Sequence, residues 1–252
     1  MKVVISEDRY VSSSISSLNL TRLRCFLIRV FYPFADVVFS PTRITRNDLI
    51  KNYGLPRKKV KVIRNWTTFV EKKSCEVKKE YDLIFIGRLH KEKNLLYLLR
   101  GLKRLKEKKD NIKLVFLGEG EEKKIMWNFI KDNNLSGNVS FFRAKRDVKK
   151  YLKKAKILVL SSKHEALPLT ILEAMALGVP VLCTNYPGVE EVIREGETGF
   201  IYRNLDEFKE KAVLLLDNLS VKKKISCQAR EYVKKNHSPR NIRQYLDALG
   251  LD

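Results

Sequence analysis

Acidic residues are scarce in this chain. Aspartate and glutamate number 29 against 51 lysines and arginines, which leaves a formal net charge of +22 over 252 residues. That excess is beyond what solubility requires and points to an anionic partner; nucleic acid, an acidic membrane surface and a phosphate-bearing small molecule would each satisfy it. Cysteine is sparse too. Cys25, Cys75, Cys183 and Cys227 stand apart with no C-x-x-C spacing, which argues against a disulfide framework and a zinc cluster and fits a reducing cytosol. Long hydrophobic runs are missing. The most apolar N-terminal stretch, Leu18 to Phe39, is broken by Arg22, Arg24, Arg29 and Pro33, so no membrane span is expected. A secretory leader is not expected either, because Met1, Lys2, Val3, Val4 and Ile5 lead at once into Ser6, Glu7, Asp8 and Arg9. The 44% hydrophobic share can bury a core. It excludes a disordered or fibrous chain, at a length between one large domain and two small ones.

Short apolar runs recur: DLIFIG from Asp82, KLVFLG from Lys113, NVSFF from Asn138, KILVLS from Lys156 and VPVLCT from Val179. Runs of this length, apolar on both faces, are what strands of a helix-covered parallel sheet look like. Between Asn94 and Lys108, Leu95, Leu98, Leu99, Leu102 and Leu105 recur at helical spacing. The alternation predicts an α/β, Rossmann-like doubly wound domain, with ligand groups gathered where strands end and helices begin. The N-terminal residues repeat the pattern in a shorter form. Strands are expected at Lys2 to Ile5, Asp36 to Ser40 and Val60 to Arg64, and helices at Leu20 to Phe31 and Thr42 to Tyr53, with Gly54 as a C-cap. Periodicity fades between 65 and 80. This divides the chain into a partial N-terminal domain (1–70), a linker (71–80), a ligand-binding domain (81–220) and C-terminal helices (221–252), and the helical stretch after Leu205 is broken near Asn218 and Pro239.

Three segments carry chemistry. In HEALPLTILEAMALGVPV, from His164, Pro168 suits the first helical position, so Leu169, Thr170 and Ile171 would offer backbone N–H groups to an anion. Glu165 before the helix and Glu173 within it could accept hydrogen bonds from the hydroxyls of a sugar and a ribose. The alternative is a helix-end glutamate and a surface ion pair. In GRLHKEKN, from Gly87, the glycine permits close backbone approach. Arg88 and Lys93 place two cations at the rim of the sheet, each worth about 1–4 kcal/mol against a diphosphate at contact. In so basic a chain, ordinary solvated surface is the competing explanation. Finally, Gly118, Glu119 and Gly120 form a G-x-G without the third glycine, as Glu121, Glu122 and Lys123 follow. That reads as a tight turn rather than a dinucleotide loop.

In this order the segments resemble the C-terminal half of glycosyltransferase family four, the group 1 glycosyltransferases with a GT-B fold. The family reads G-R-L, then K-G, then G-x-G, then P-S-x-x-E-G-F-G-L-x-x-L-E-A-M-A-x-G-x-P-V, then G-G-x-x-E-x-I and T-G. Matching residues are Gly87, Arg88, Leu89 and Lys93; Gly118 and Gly120; Ser162, Glu165, Leu169, Leu172, Glu173, Ala174, Met175, Ala176, Gly178, Pro180 and Val181; then Gly188, Glu191, Ile193, Thr198 and Gly199. The resemblance covers roughly residues 35 to 220. Departures are Asn94 for a glycine, Ser161 for a proline, and Ala166, Leu167 and Pro168 for G-F-G.

The resemblance implies a retaining, hexosyltransferase-like enzyme of glycan biosynthesis that moves a sugar from a nucleoside diphosphate donor to the hydroxyl of a saccharide or lipid-linked acceptor. Arg88 and Lys93 would bind the diphosphate, Glu173 the ribose and Glu165 the donor sugar, with Gly87 and the N–H groups of Leu169 and Thr170 beside the phosphate. No cofactor or metal is expected, because the chain has no D-x-D pair. Only about 70 residues precede the linker, which is half of an ordinary acceptor-side domain. His90, His164 and His237 all lie beyond it, so none matches the family's N-terminal active-site histidine. The chain is then either a fragment or completed by a separate polypeptide. A catalytically idle sugar-nucleotide-binding subunit is the alternative function. Nucleic acid is not expected as a partner, because no stacking platform or recognition helix appears. The expected location is cytoplasmic, at the inner membrane face if Leu20, Leu23, Leu27, Val30 and Phe31 form an apolar helix face flanked by Arg22, Arg24 and Arg29 at an anionic surface. The alternative there is a helix packed on its own sheet.

Overall fold

The computed structural model describes residues 2–8, 11, 18–69, 77–143 and 147–250; the side chains of residues 18–22 and 24 lie outside the description. Two parallel sheets form. The smaller contains β1 (Val4–Ser6), β2 (Val37–Ser40) and β3 (Val60–Val62) in that order. Its helices are α1 (Leu18–Phe31) and α2 (Arg43–Tyr53). Thr42 caps α2 by accepting from the Thr45 N–H, and Gly54 ends it at φ 72°, where a residue with a Cβ would be strained.

The larger sheet contains β4 (Tyr81–Ile86), β5 (Leu114–Leu117), β6 (Val139–Phe142), β7 (Ala155–Leu160), β8 (Val181–Thr184) and β9 (Phe200–Tyr202). Their order is β6-β5-β4-β7-β8-β9, parallel throughout. Counted from β4, this is the doubly wound 3-2-1-4-5-6 arrangement, whose direction of winding reverses between β4 and β7. Helices α3 (Leu95–Lys106), α4 (Lys123–Asp132), α5 (Val148–Lys154), α6 (Leu169–Ala176), α7 (Leu205–Asp217) and α8 (Leu219–Asn236) accompany it. The leucine stripe of α3 is fully buried in the core against this sheet, as its spacing requires. The breaks near Asn218 and Pro239 also fall as expected, with Asn218 capping α8 through its side chain.

Packing divides the C-terminal helices. Ile225, Ala229 and Val233 of α8 join the large core. The last helix, α9 (Ile242–Leu249), crosses back to the small sheet, where Tyr245, Ala248 and Leu249 pack on Val37, Phe39 and Ile63. The polar stretch between the sheets is partly built in. Thr67 is buried and its N–H donates to the His237 carbonyl, while Phe69 packs against the large core. Residues 70–76, most of the expected linker, lie outside the description. On α1, Ile28 is buried, whereas Leu23, Phe26, Leu27, Val30 and Phe31 are exposed. The helix therefore touches its sheet with one side and leaves an apolar face outward. Leu20, Arg22 and Arg24 of the expected face lie outside the described side chains.

Candidate functional site

The two loops that carry the expected residues leave adjacent strands at the point of reversal. One follows β4 and holds Gly87, Arg88 and Lys93; the other follows β7 and holds Glu165, with α6 next. Neighbouring crossovers run to opposite sides there, so the strand ends open a crevice in which ligands of such sheets lie.

Across that crevice the Lys93 ammonium and the Glu165 carboxylate form an ion pair spanning 72 residues of sequence. Both side chains are largely buried, and Ser162 Oγ donates a 2.7 Å hydrogen bond to Glu165 Oε1. The neighbouring Ser161, which departs from the family's proline, donates through Oγ to the Lys93 carbonyl at 2.7 Å. Thr184 at the end of β8 holds the Ser162 carbonyl at 2.6 Å. Lys93 ends a 3₁₀ turn (Lys91–Lys93), and Asn94 follows with φ 51°. That left-handed value explains the other departure: the family's glycine is replaced by the side chain that best tolerates the conformation. Arg88 is exposed and has no ion-pair partner among the described residues.

Close backbone approach accounts for the G-x-G. A Cβ on Gly118 would lie 1.9 Å from the Gly87 carbonyl oxygen, and one on Gly120 would lie 2.2 Å from that of Leu89. Leu89 N–H donates to the Glu119 carbonyl at 2.8 Å and the Glu122 N–H to that of Leu89 at 3.0 Å. These glycines let the loop after β5 brace the loop that carries Arg88.

The start of α6 differs from expectation by one position. Pro168 is the N-cap, with ψ 123°, and the helix begins at Leu169. The Ile171 N–H donates to the Pro168 carbonyl at 3.1 Å. Two amides, Leu169 and Thr170, therefore lack intrahelical acceptors, instead of the three expected. Glu173, one turn in, is half-buried with no hydrogen-bond or ion-pair partner for its carboxylate among the described residues, and burial raises its pKa above 4.5. Ala166 and Leu167 are buried, so two of the three residues replacing G-F-G serve packing. One neighbour escaped sequence reasoning. Tyr186, buried after β8, has its phenol held well above its ordinary pKa by burial first and then by nearby Cys183 and Glu165. Nothing in its local spacing marks it.

A doubly wound sheet with this crevice, joined to a second parallel sheet by a returning C-terminal helix, is the GT-B arrangement. The Anabaena protein HepE, solved in complex with UDP-glucose, superposes with a TM-score of 0.88 at 17% identity, covering 99% of this chain and 72% of its own. Staphylococcus aureus TarM superposes with a TM-score of 0.86 at 18% identity, covering 98% of this chain and 50% of its own. The family model described as glycosyl transferases group 1 matches residues 67–232, and the chain belongs to that family. An uncharacterized glycosyltransferase of Methanocaldococcus jannaschii is 32% identical over 168 residues, which is 62% of this chain and 41% of that protein. The N-acetylgalactosamine-N,N'-diacetylbacillosaminyl-diphospho-undecaprenol 4-alpha-N-acetylgalactosaminyltransferase of Campylobacter jejuni is 29% identical over 197 residues, covering 76% of this chain and 52% of that protein. The chain thus spans about half the length of the curated relatives it matches.

Proposed function

We propose that this chain is the donor side of a sugar transfer. It binds a nucleoside diphosphate sugar in the crevice between β4 and β7 and presents the sugar to a hydroxyl, with retention of configuration as the family resemblance implies. The Lys93–Glu165 ion pair, which joins the loops after β4 and β7 across 72 residues at the strand ends, carries this reading. Arg88 and Lys93 meet the diphosphate, whose negative charge grows as the glycosidic bond breaks, together with the N–H groups of Leu169 and Thr170. Glu165 keeps Lys93 oriented and faces the sugar, and Glu173 accepts from the ribose hydroxyls. On this reading the leaving charge is met by the chain's own groups, so donor binding survives a chelator.

The relatives support the substrate classes: HepE is solved with UDP-glucose and the Campylobacter enzyme is named for a diphospho-undecaprenol acceptor. A uridine nucleotide donor and a saccharide or lipid-linked acceptor are therefore proposed here. Work at the inner membrane face accords with the apolar face of α1. A thermal-shift screen of sugar nucleotides tests the donor, since a ligand at about 100 times its dissociation constant stabilises the fold by about 2.7 kcal/mol. In calorimetric titration, Lys93→Ala and Glu173→Ala should each weaken the binding of the nucleotide found by about tenfold, or about 1.4 kcal/mol. Unchanged affinity in both variants would sink the assignment. Sugar release or transfer by the bound chain separates an enzyme from an idle binding subunit.

A further inference from the structure

One element of the family motif is not among the residues proposed above to bind the donor. Glu191 lies in the 3₁₀ turn Val189–Glu191 after β8, on the same rim of the large sheet as Arg88 and Lys93. Its carboxylate reaches the other sheet. Oε2 accepts from the Arg43 N–H at 2.9 Å and Oε1 from the Ile44 N–H at 3.0 Å, 148 and 147 residues away. These are the first two amides of α2, which no carbonyl within the helix can satisfy. Thr42 Oγ1 serves the third, at Thr45. Two adjacent amides on one carboxylate make a charge-assisted pair at the positive end of a helix, stronger and more directional than hydration. The glutamate is itself held. Tyr232 of α8 donates to the Glu191 carbonyl at 2.7 Å, and a Cβ on Gly188 would lie 3.5 Å from Ile44 Cγ2.

α2 follows β2, so its first turn lies at the edge of the small sheet where strand-end loops collect, and Glu191 joins that edge to the donor rim. We propose that Glu191 is a positioning residue that fixes the small, acceptor-side sheet in its orientation to the donor crevice. This rests on the transfer reading above, because fixed orientation matters when two substrates held on different sheets must meet.

Hydrogen exchange read by mass spectrometry on this chain tests it. In Glu191→Ala, amides within residues 42–47 should exchange about tenfold faster or more, while the strands of both sheets keep their protection. Arg43→Pro is the second variant. Proline is favoured at the first helical position and Thr42 already has the extended backbone a following proline requires, at φ −135° and ψ 156°. It removes one of the two donors without unwinding α2, and should loosen Ile44 to a smaller degree. UDP affinity should stay within about twofold of wild type in both variants, while kcat for transfer falls with donor KM unchanged. Unaltered exchange at residues 42–47 in Glu191→Ala overturns the proposal, as does loss of protection across both sheets. Failure of the wild type to bind any uridine nucleotide would instead overturn the donor reading, leaving the exchange data to decide whether Glu191 joins the sheets.

Discussion

Glu173 and Glu165 look alike in sequence and differ in surroundings. Glu165 has an ammonium and a hydroxyl to hold its charge, whereas Glu173 has burial alone, which raises its pKa. Ribose hydroxyls donate more strongly to the ionised form, whose two oxygens both accept and carry charge. The advantage of wild type over Glu173→Gln in UDP affinity should therefore shrink as pH falls from about 7 to about 5, because burial favours the protonated form of Glu173. Titration at both pH values checks this, and a constant ratio would remove Glu173 from the ribose role. The types and order of these acids were legible in the motif, but their different surroundings were not. The glycines show the same division: the incomplete G-x-G argued against a dinucleotide loop, while the Leu89 carbonyl oxygen that forbids a side chain at 120 comes from the loop after β4, 31 residues earlier. Gly120→Ala, at φ 157° with that oxygen 2.2 Å from the new Cβ, should lower stability by about 1–3 kcal/mol in chemical denaturation.

At the level of elements, the strands other than β9 and the leucine stripe of α3 followed from short-range pattern, but β9 and the seam between the sheets did not. It is formed where 64–67 meets 236–241. Thr67 N–H donates to the His237 carbonyl, Arg64 to Asn236, and Asn241 to the Arg64 carbonyl. His237 Nδ1 lies 2.8 Å from the Asn65 carbonyl, so that nitrogen carries the proton and donates, while Nε2 is buried without a partner among the described residues. Burial lowers its pKa below 6.5, more than the Asn65 contact raises it. A folded-state value below the unfolded one gives stability that is complete above about 6.5 and is lost as pH falls through the folded value. Denaturation midpoints should drop between pH 7 and 5.5 by more in wild type than in His237→Asn, whose side chain does not titrate. Equal slopes would show that the seam does not govern acid stability.

On the scale of the whole molecule, a charge of +22 far exceeds what one diphosphate can neutralise. The outward face of α1 offers a second use for it. Leu23, Phe26, Leu27, Val30 and Phe31, with Phe34 just beyond, are each at least 37% exposed, an apolar patch of a kind that marks interaction surfaces. No described helix is long and apolar enough to cross a membrane. The chain should sediment with anionic vesicles at low salt and be released as screening shortens to about 8 Å at physiological ionic strength. Phe26→Ser with Phe31→Ser should abolish that binding. Equal association with neutral vesicles, or none at low salt, would refute a membrane role for this face. By itself the sequence determined the alternation of strands and helices, the family motif and the kinds of group that could meet a sugar nucleotide, because these depend on spacing within one or two turns and on side-chain chemistry. Tertiary structure alone decided the pairing of Lys93 with Glu165, the reach of Glu191 into α2, the return of α9 to the small sheet and the outward turn of α1. Each joins residues whose separation along the chain says nothing of their distance in space, and only the order of strands and the packing of helices around them bring such groups to hydrogen-bonding range.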